Sequence, residues 1–161
     1  MKQTILVTGG TGYIGAWVVK GLLDRGHNVR LAVRNKNNKE KYSFLEEIAK
    51  SKQASLEIWE ADLLIPGSYD LAAEGCDAIA HIASPFKLKI KNAQKELLDP
   101  AVNGTINVLE AANKASSVKK VVMTSSVVAI FGDNIDMKKQ NLSTFTEEHF
   151  NISSSIDHQP Y

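Results

Sequence analysis

Between Thr8 and Gly15 the chain reads Thr-Gly-Gly-Thr-Gly-Tyr-Ile-Gly, and the spacing of Gly9, Gly12 and Gly15 suits one task. Glycines so placed give a tight turn, let the backbone approach a pyrophosphate, and let a helix pack close to a sheet. The apolar run Ile5-Leu6-Val7 precedes the turn and an amphipathic stretch follows it. That context distinguishes a dinucleotide site from an ordinary glycine turn, and the expected binding residues are Gly9, Thr11, Gly12, Tyr13, Ile14 and Gly15. The second apolar run ends in Ala32-Val33-Arg34-Asn35, where a chain selective for NAD usually carries an acid for the ribose hydroxyls. Here the position offers Arg34, nineteen residues after Gly15. A guanidinium there can stack on adenine and pair with a 2′-phosphate, which favours NADP over NAD. Lys36 and Lys39 read as a solvated basic turn.

These groups must be positioned by the elements around them. Apolar runs at Thr4–Thr8, Val29–Val33, Ala54–Glu60, Ala78–Ala83 and Lys120–Thr124 read as five strands. Between them lie helical patterns. Tyr13–Arg25 presents Ile14, Trp17, Val18 and Leu22 at helical spacing and is closed by Gly26. Lys39–Ser51 presents Phe44, Leu45 and Ile48, and a weaker helix spans Ser68–Glu74. From about Lys91 helical signal resumes, breaks at Pro100, and continues to Ala115 with Val102, Ile106, Leu109 and Ala112 on one face. Strands separated by helices need crossover connections, so the expected class is α/β: one domain with a doubly wound, mostly parallel sheet. After Phe131 the chain turns polar, and Gly132–Pro160 reads as a long loop of the kind that usually has a function or is disordered.

Composition narrows the functional classes. Nineteen basic against eighteen acidic residues leave a net charge of +1, with no bulk field to attract nucleic acid or an anionic membrane. The uncharged stretch Gln3–Val19 is interrupted by glycines and threonines, so it is neither a membrane span nor a signal core. Cys76 is the single cysteine, and the four histidines lack zinc spacing, so no disulfide and no structural metal are expected and a cytoplasmic setting is. Three matches to the N-glycosylation pattern, at Asn103, Asn141 and Asn151, carry no functional weight without an export signal.

The glycine turn resembles that of the extended short-chain dehydrogenase/reductases. Further segments match that branch in order: Asp62-Leu63, His81-Ile-Ala-Ser-Pro-Phe86, Asp99-Pro-Ala-Val-Asn-Gly-Thr105 and Thr124-Ser-Ser126. His-Ile-Ala-Ser-Pro-Phe with Pro-Ala-Val-Asn-Gly-Thr is most similar to the dihydroflavonol reductase, cinnamoyl-CoA reductase and carbonyl reductase group. The resemblance implies a Rossmann-type fold, truncated here after the fifth strand and its following loop. It implies that Asp62 bonds the adenine amino group with the Leu63 backbone alongside, although the position equally suits a capping Asp. Ala83 and Ser84 would line the ribose and nicotinamide, with Pro85 and Phe86 toward the substrate. His81, inside an apolar run, reads as a satisfied core histidine, and Asn103 as a brace from the helix or a simple cap.

The family's chemistry uses Ser, Tyr and Lys. Ser126 matches its catalytic serine better than Ser125 does, and Tyr161, thirty-five residues further on, matches the tyrosine. A free tyrosine has a pKa of about 10, and the lysine one helical turn later that favours its anion lies outside these 161 residues. By resemblance the chain is therefore the N-terminal half of a longer enzyme that is silent without the remainder. The expected activity is NADP-dependent reduction of an aldehyde or ketone, with a small carbonyl or alcohol substrate and a homodimer among the family's habits. The alternatives are a sugar-nucleotide epimerase or dehydratase of the same superfamily, which usually holds NAD, and a dinucleotide-binding module without catalysis.

Overall fold

The computed structural model describes residues 1–85 and 89–160, which form two compact units. The first comprises residues 1–84 and 102–124 and contains the sheet. Its strands are β1 (Thr4–Thr8), β2 (Asn28–Val33), β3 (Leu56–Glu60), β4 (Ala78–His81) and β5 (Lys120–Met123), and its helices α1 (Tyr13–Asp24), α2 (Ser43–Ser51) and α3 (Asp70–Ala73). The long helix α4 (Asp99–Lys114) leads into β5. All pairings are parallel in the order β3-β2-β1-β4-β5, so the chain winds one way from β1 through β3 and then back across β1 to β4.

Strand alternation decides which side chains meet which helices. Ile5 and Val7 join Val29, Leu31 and Val33 on the face covered by Val19 and Leu23 of α1 and Leu45 and Ala49 of α2. Leu6, between them in sequence, faces the opposite layer with Ile79, Tyr69, Ala72 and Ala73, and Val108 and Ala111 of α4. Both faces of the central strands are dry, which is why β1 is an unbroken apolar run. Gly26, at φ +78°, ends α1, with its N–H and that of His27 closing on Leu23 and Leu22.

The helices turn different faces inward from those expected. Ile14 and Trp17 of α1 are exposed while Gly15, Val19 and Leu23 are buried. In α4, Val102, Ile106 and Leu109 are exposed and the buried stripe is Gly104, Asn107, Val108 and Ala111. Small residues let these helices approach closely, and the bulky apolar ones are left outside. The helix expected over Lys39–Ser51 is interrupted at Tyr42, which is buried and donates its hydroxyl hydrogen bond to the Lys36 carbonyl. Pro100, expected to break the helix, is the second residue of α4, which follows the helical turn Gln94–Leu98 without a gap.

The second unit comprises residues 85–101 and 125–161. Gln94–Leu98 forms a wide helical turn, Val127–Ala129 a 3₁₀ turn, and Ile135–Lys139 a short helix, α5. The polar stretch expected as a plain loop is in fact organised. Phe131 stacks on Phe145 at 5.0 Å between ring centres, and Asp136 is fully buried. Its Oδ2 accepts from the Gly132 and Asp133 amides and from the Ser153 hydroxyl. Burial alone would raise the Asp136 pKa, but these bonds outweigh it and hold the carboxyl below its usual range.

Candidate functional site

The register sets Thr8 beside Ala32 and His81, and Val33 beside Glu60, so the carboxyl ends of β1 to β4 lie in line. The glycine turn, Arg34, Asp62-Leu63 and Ala83-Ser84 each follow directly from one of these ends. Strand order reverses between β1 and β4, and in open parallel sheets the ligand crevice forms at that switch point.

Within the turn the glycines do different work. Gly9 sits at φ +69°, and a Cβ there would lie 2.7 Å from the Ala83 nitrogen. A Cβ on Gly15 would lie 2.1 Å from the Gly9 carbonyl oxygen, and one on Gly10 2.4 Å from Leu31 Cδ1. Those three are fixed by packing within the protein. At Gly12 the contact is milder: among the described residues an added Cβ would meet the Gly9 carbonyl oxygen at 3.3 Å, a tight approach but not a clash. Gly12 caps α1, whose first turn carries no acidic residue and receives no side-chain cap. The Gly12 amide donates to the Gly9 carbonyl at 3.0 Å, and the amides of Tyr13, Ile14 and Gly15 in the first turn are thereby left for an anionic group, as helix N-termini favour.

Arg34 has no hydrogen bond or ion pair among the described residues. With Thr11, Val33, Asn35, Asn38, Lys41 and Tyr42 it lines a cleft of about 310 Å³. Lys41 is the second cation on that cleft. Lys36 instead sits 5.9 Å from the Trp59 ring, with its amide on Glu60. Sequence spacing drew attention to Lys36 and Lys39 and passed over Lys41, because the 3₁₀ turn at Lys39–Lys41 decides which lysine faces the cleft.

Asp62 does what a capping Asp does: its Oδ1 accepts from the Leu64 amide at 2.9 Å. Ser68 brackets its backbone, donating to the Asp62 carbonyl and accepting from its N–H. The residue that holds this loop is Asn107, buried in α4. Its Nδ2 donates to the carbonyls of Asp62, Leu63 and Ile65, and its Oδ1 accepts from the Gly67 amide. One turn earlier, Gly104 lets Leu63 approach to where a Cβ would lie 3.0 Å from its own. Nearby Tyr69 is buried and its hydroxyl pKa is pushed up to about 12, chiefly by burial and further by the Asp62 carboxylate, with Arg34 opposing. Asn103, expected as a brace for the catalytic groups or as a simple cap, is exposed.

At the end of β4, Thr8 organises the next segment. Its Oγ1 accepts from the amides of Ile82 and Ala83 at 3.2 and 3.1 Å and pairs with His81 Nδ1 at 2.7 Å. Those amides supply their own hydrogens, so the single hydroxyl proton points at Nδ1 and the ring carries its proton on Nε2. His81 is therefore a buried neutral histidine, its pKa lowered by burial, and a structural residue as its apolar setting implied. The same bonds end β4 at His81, two residues before the expected strand end, and fix Ala83 against Gly9.

In the second unit Ser126 is exposed and starts the 3₁₀ turn, its Oγ accepting from the Val128 amide at 3.4 Å. It lines a mainly apolar cavity of about 430 Å³ with Leu98, Val128, Asn151, Ile156 and Pro160 among its neighbours. Asn151 shapes that wall, donating to the Val128 carbonyl and Ser154 Oγ and accepting from the amides of Ser153 and Ser154. Phe86 and Tyr161 lie outside the described residues. Among those described, no group of three His, Cys, Asp or Glu side chains is placed to hold a metal, and no helix is long and apolar enough to cross a membrane.

An open parallel sheet whose order reverses at a glycine turn, with a basic residue after the second strand, defines a Rossmann-type nucleotide-binding fold. The chain belongs to the 3-beta hydroxysteroid dehydrogenase/isomerase family, whose model matches residues 6–159. Dihydroflavonol 4-reductase of Solanum lycopersicum is 42% identical over 123 residues, covering 76% of this chain and 32% of the relative. Cinnamoyl-CoA reductase CAD2 of Medicago truncatula is 42% identical over 130 residues, 81% of this chain and 40% of the relative. Among solved structures, the NADPH complex of Gre2 from Candida albicans matches with a TM-score of 0.75 and 34% identity, over 94% of this chain and 45% of that one. The NADPH complex of the yeast methylglyoxal/isovaleraldehyde reductase Gre2 gives 0.77 and 28%, over 97% and 46%. The chain thus spans less than half the length of each of these relatives. They fall in the reductase group that the sequence motifs resemble.

Proposed function

We propose that this chain is the cofactor-binding part of an NADP-dependent reductase of aldehydes or ketones. The observation that carries the reading is the cleft shared by Thr11, Arg34 and Lys41, where two cations and no carboxylate follow β2. A 2′-phosphate is the feature that distinguishes NADP from NAD, and Arg34 has the fork to take it, with Lys41 as a point charge beside it. The absence of a side chain at Gly12 and the uncapped first turn of α1 suit the pyrophosphate. Asp62, in its loop on Asn107, is assigned to the adenine, and Ala83-Ser84 to the ribose and nicotinamide.

When bound, the cofactor supplies a hydride to a carbonyl carbon. Ser126 is assigned the task of donating a hydrogen bond to the carbonyl oxygen, and Tyr161 that of delivering its proton. The mainly apolar cavity beside Ser126 suits a substrate with a hydrocarbon or aromatic body. The test is NADPH consumption by the full-length protein with a panel of small and aromatic aldehydes and ketones. Ser126→Ala and Tyr161→Phe are expected to lower kcat by about a hundredfold or more while leaving NADPH affinity intact. Full activity in Tyr161→Phe would remove the tyrosine from the mechanism.

A further inference from the structure

Only 3% of Tyr69 reaches the surface, yet its hydroxyl has no hydrogen-bond partner among the described residues. That oxygen is not one of the fully enclosed polar atoms left without a partner, so the small part of the side chain that meets solvent includes the hydroxyl. We propose that this hydroxyl reads the base of the nucleotide: it donates to the ring nitrogen N1 of adenine, beside the Asp62 carboxylate that accepts from the amino group. The proposal rests on the reading of this end of the sheet as a dinucleotide site.

The fold roots Tyr69 against that site. Its ring belongs to the apolar layer that holds Ala32, near the end of β2, and Ala61, just after β3. Ala61 donates its amide to the Val33 carbonyl at 2.9 Å, which continues the pairing of Val33 with Glu60, so Arg34 and Ala61 leave the two strands side by side. Asp62 follows at once. Its backbone is clasped by Ser68, the residue before Tyr69, which donates to the Asp62 carbonyl at 2.7 Å and accepts from its amide at 3.1 Å. Gly67, at φ +75°, makes the turn that brings Ser68 back, and Asn107 accepts from its amide at 2.9 Å. Backbone bonds and core packing thus hold Asp62 and Tyr69 at the two ends of one closed loop.

The chemistry of the two side chains is complementary. Burial, reinforced by the Asp62 carboxylate and opposed by Arg34, pushes the Tyr69 pKa up to about 12. The hydroxyl therefore keeps its proton near neutral pH and is available as a donor. Asp62 Oδ1 is occupied by the Leu64 amide, while Oδ2 has no partner among the described residues and is available as an acceptor. One acceptor and one donor suit the edge of adenine, where the amino group donates and N1 accepts. Hypoxanthine presents the reverse, a carbonyl oxygen in place of the amino group and an N–H at N1. It would set oxygen against the carboxylate and N–H against the phenol, and a donor left without an acceptor in a buried setting is costly.

The experiment is calorimetric titration of the full-length protein and its Tyr69→Phe variant with NADPH, NADH and reduced nicotinamide hypoxanthine dinucleotide phosphate. The wild type is expected to prefer NADPH to the hypoxanthine analogue. Tyr69→Phe is expected to bind NADPH about threefold to tenfold more weakly, the range for one neutral hydrogen bond, with the preference for adenine reduced by at least that factor. Because the hydroxyl bonds nothing in the protein, the melting temperature without nucleotide is expected to be unchanged, and so is the preference for NADPH over NADH, which belongs to Arg34. Equal NADPH affinity in the two proteins would overturn the proposal. Weaker NADPH binding with the adenine preference intact would also overturn it, by assigning the hydroxyl to another part of the nucleotide, and a lower melting temperature with equal loss of affinity for both bases would reduce Tyr69 to a structural residue. Failure of the wild type to bind any of the three dinucleotides would instead overturn the reading of the site on which the proposal rests.

Discussion

At the scale of single residues, hydrogen-bond bookkeeping gives consequences that can be measured. Thr8 spends its only proton on His81 Nδ1, and the buried ring is neutral with its pKa below the free value of about 6.5. The unfolded chain therefore binds the proton more readily than the folded one. It follows that stability is complete above about pH 6.5 and falls as pH drops below it, levelling once the folded pKa is passed. Melting temperatures measured from pH 7.5 to pH 5 should show this slope, and His81→Gln should flatten it; an unchanged slope would mean that another group carries it. At Gly12 the expectation is the reverse of a core substitution. Gly12→Val is expected to leave the circular dichroism spectrum nearly intact and to abolish nucleotide binding, since the added Cβ meets the Gly9 oxygen at 3.3 Å without the clash that Gly9 and Gly15 would suffer. Nucleotide binding by a folded Gly12→Val variant would take the glycine turn out of the site.

At the scale of elements, α4 holds the loop after β3. Asn107 makes four hydrogen bonds to that loop. Asn107→Ala would remove the partner of three partly buried carbonyls and is expected to cost about 1–3 kcal/mol, read as a lower denaturation midpoint, together with weaker nucleotide binding through displacement of Asp62. This residue also marks where sequence reading stopped. The five strands were legible because apolar runs such as Ile5-Leu6-Val7 leave little choice, and the glycine turn because it falls between a strand and a helix. The inward faces of α1 and α4 were not, since bulky residues such as Trp17 and Ile106 give the stronger periodic signal while Gly15, Gly104 and Ala111 make the contacts. Asn107 shares the spacing of Gly104 and Ala111, and that stripe of small residues was the available clue. The end of β4 and the organisation around Asp136 depend on side-chain bonds between segments distant in sequence, and no local pattern announces such bonds.

At the scale of the molecule, a net charge of +1 supplies no general attraction for a dinucleotide, so selectivity must come from the few groups at the carboxyl ends of the strands. The cations at Arg34 and Lys41 face one cleft with Thr11, while the remaining polar residues there are neutral. The central claim is that this cleft reads a 2′-phosphate. It is tested most directly by calorimetric titration of NADPH and NADH into the full-length protein and its Arg34→Ala variant. A charge-assisted pair of this kind contributes about 1.5–3 kcal/mol, which is about tenfold to a hundredfold in affinity. The expected result is a wild-type preference for NADPH that falls by that factor in Arg34→Ala, with NADH affinity nearly unchanged. Equal affinities for the two cofactors in the wild type, or an NADPH preference that survives the substitution intact, would contradict the account.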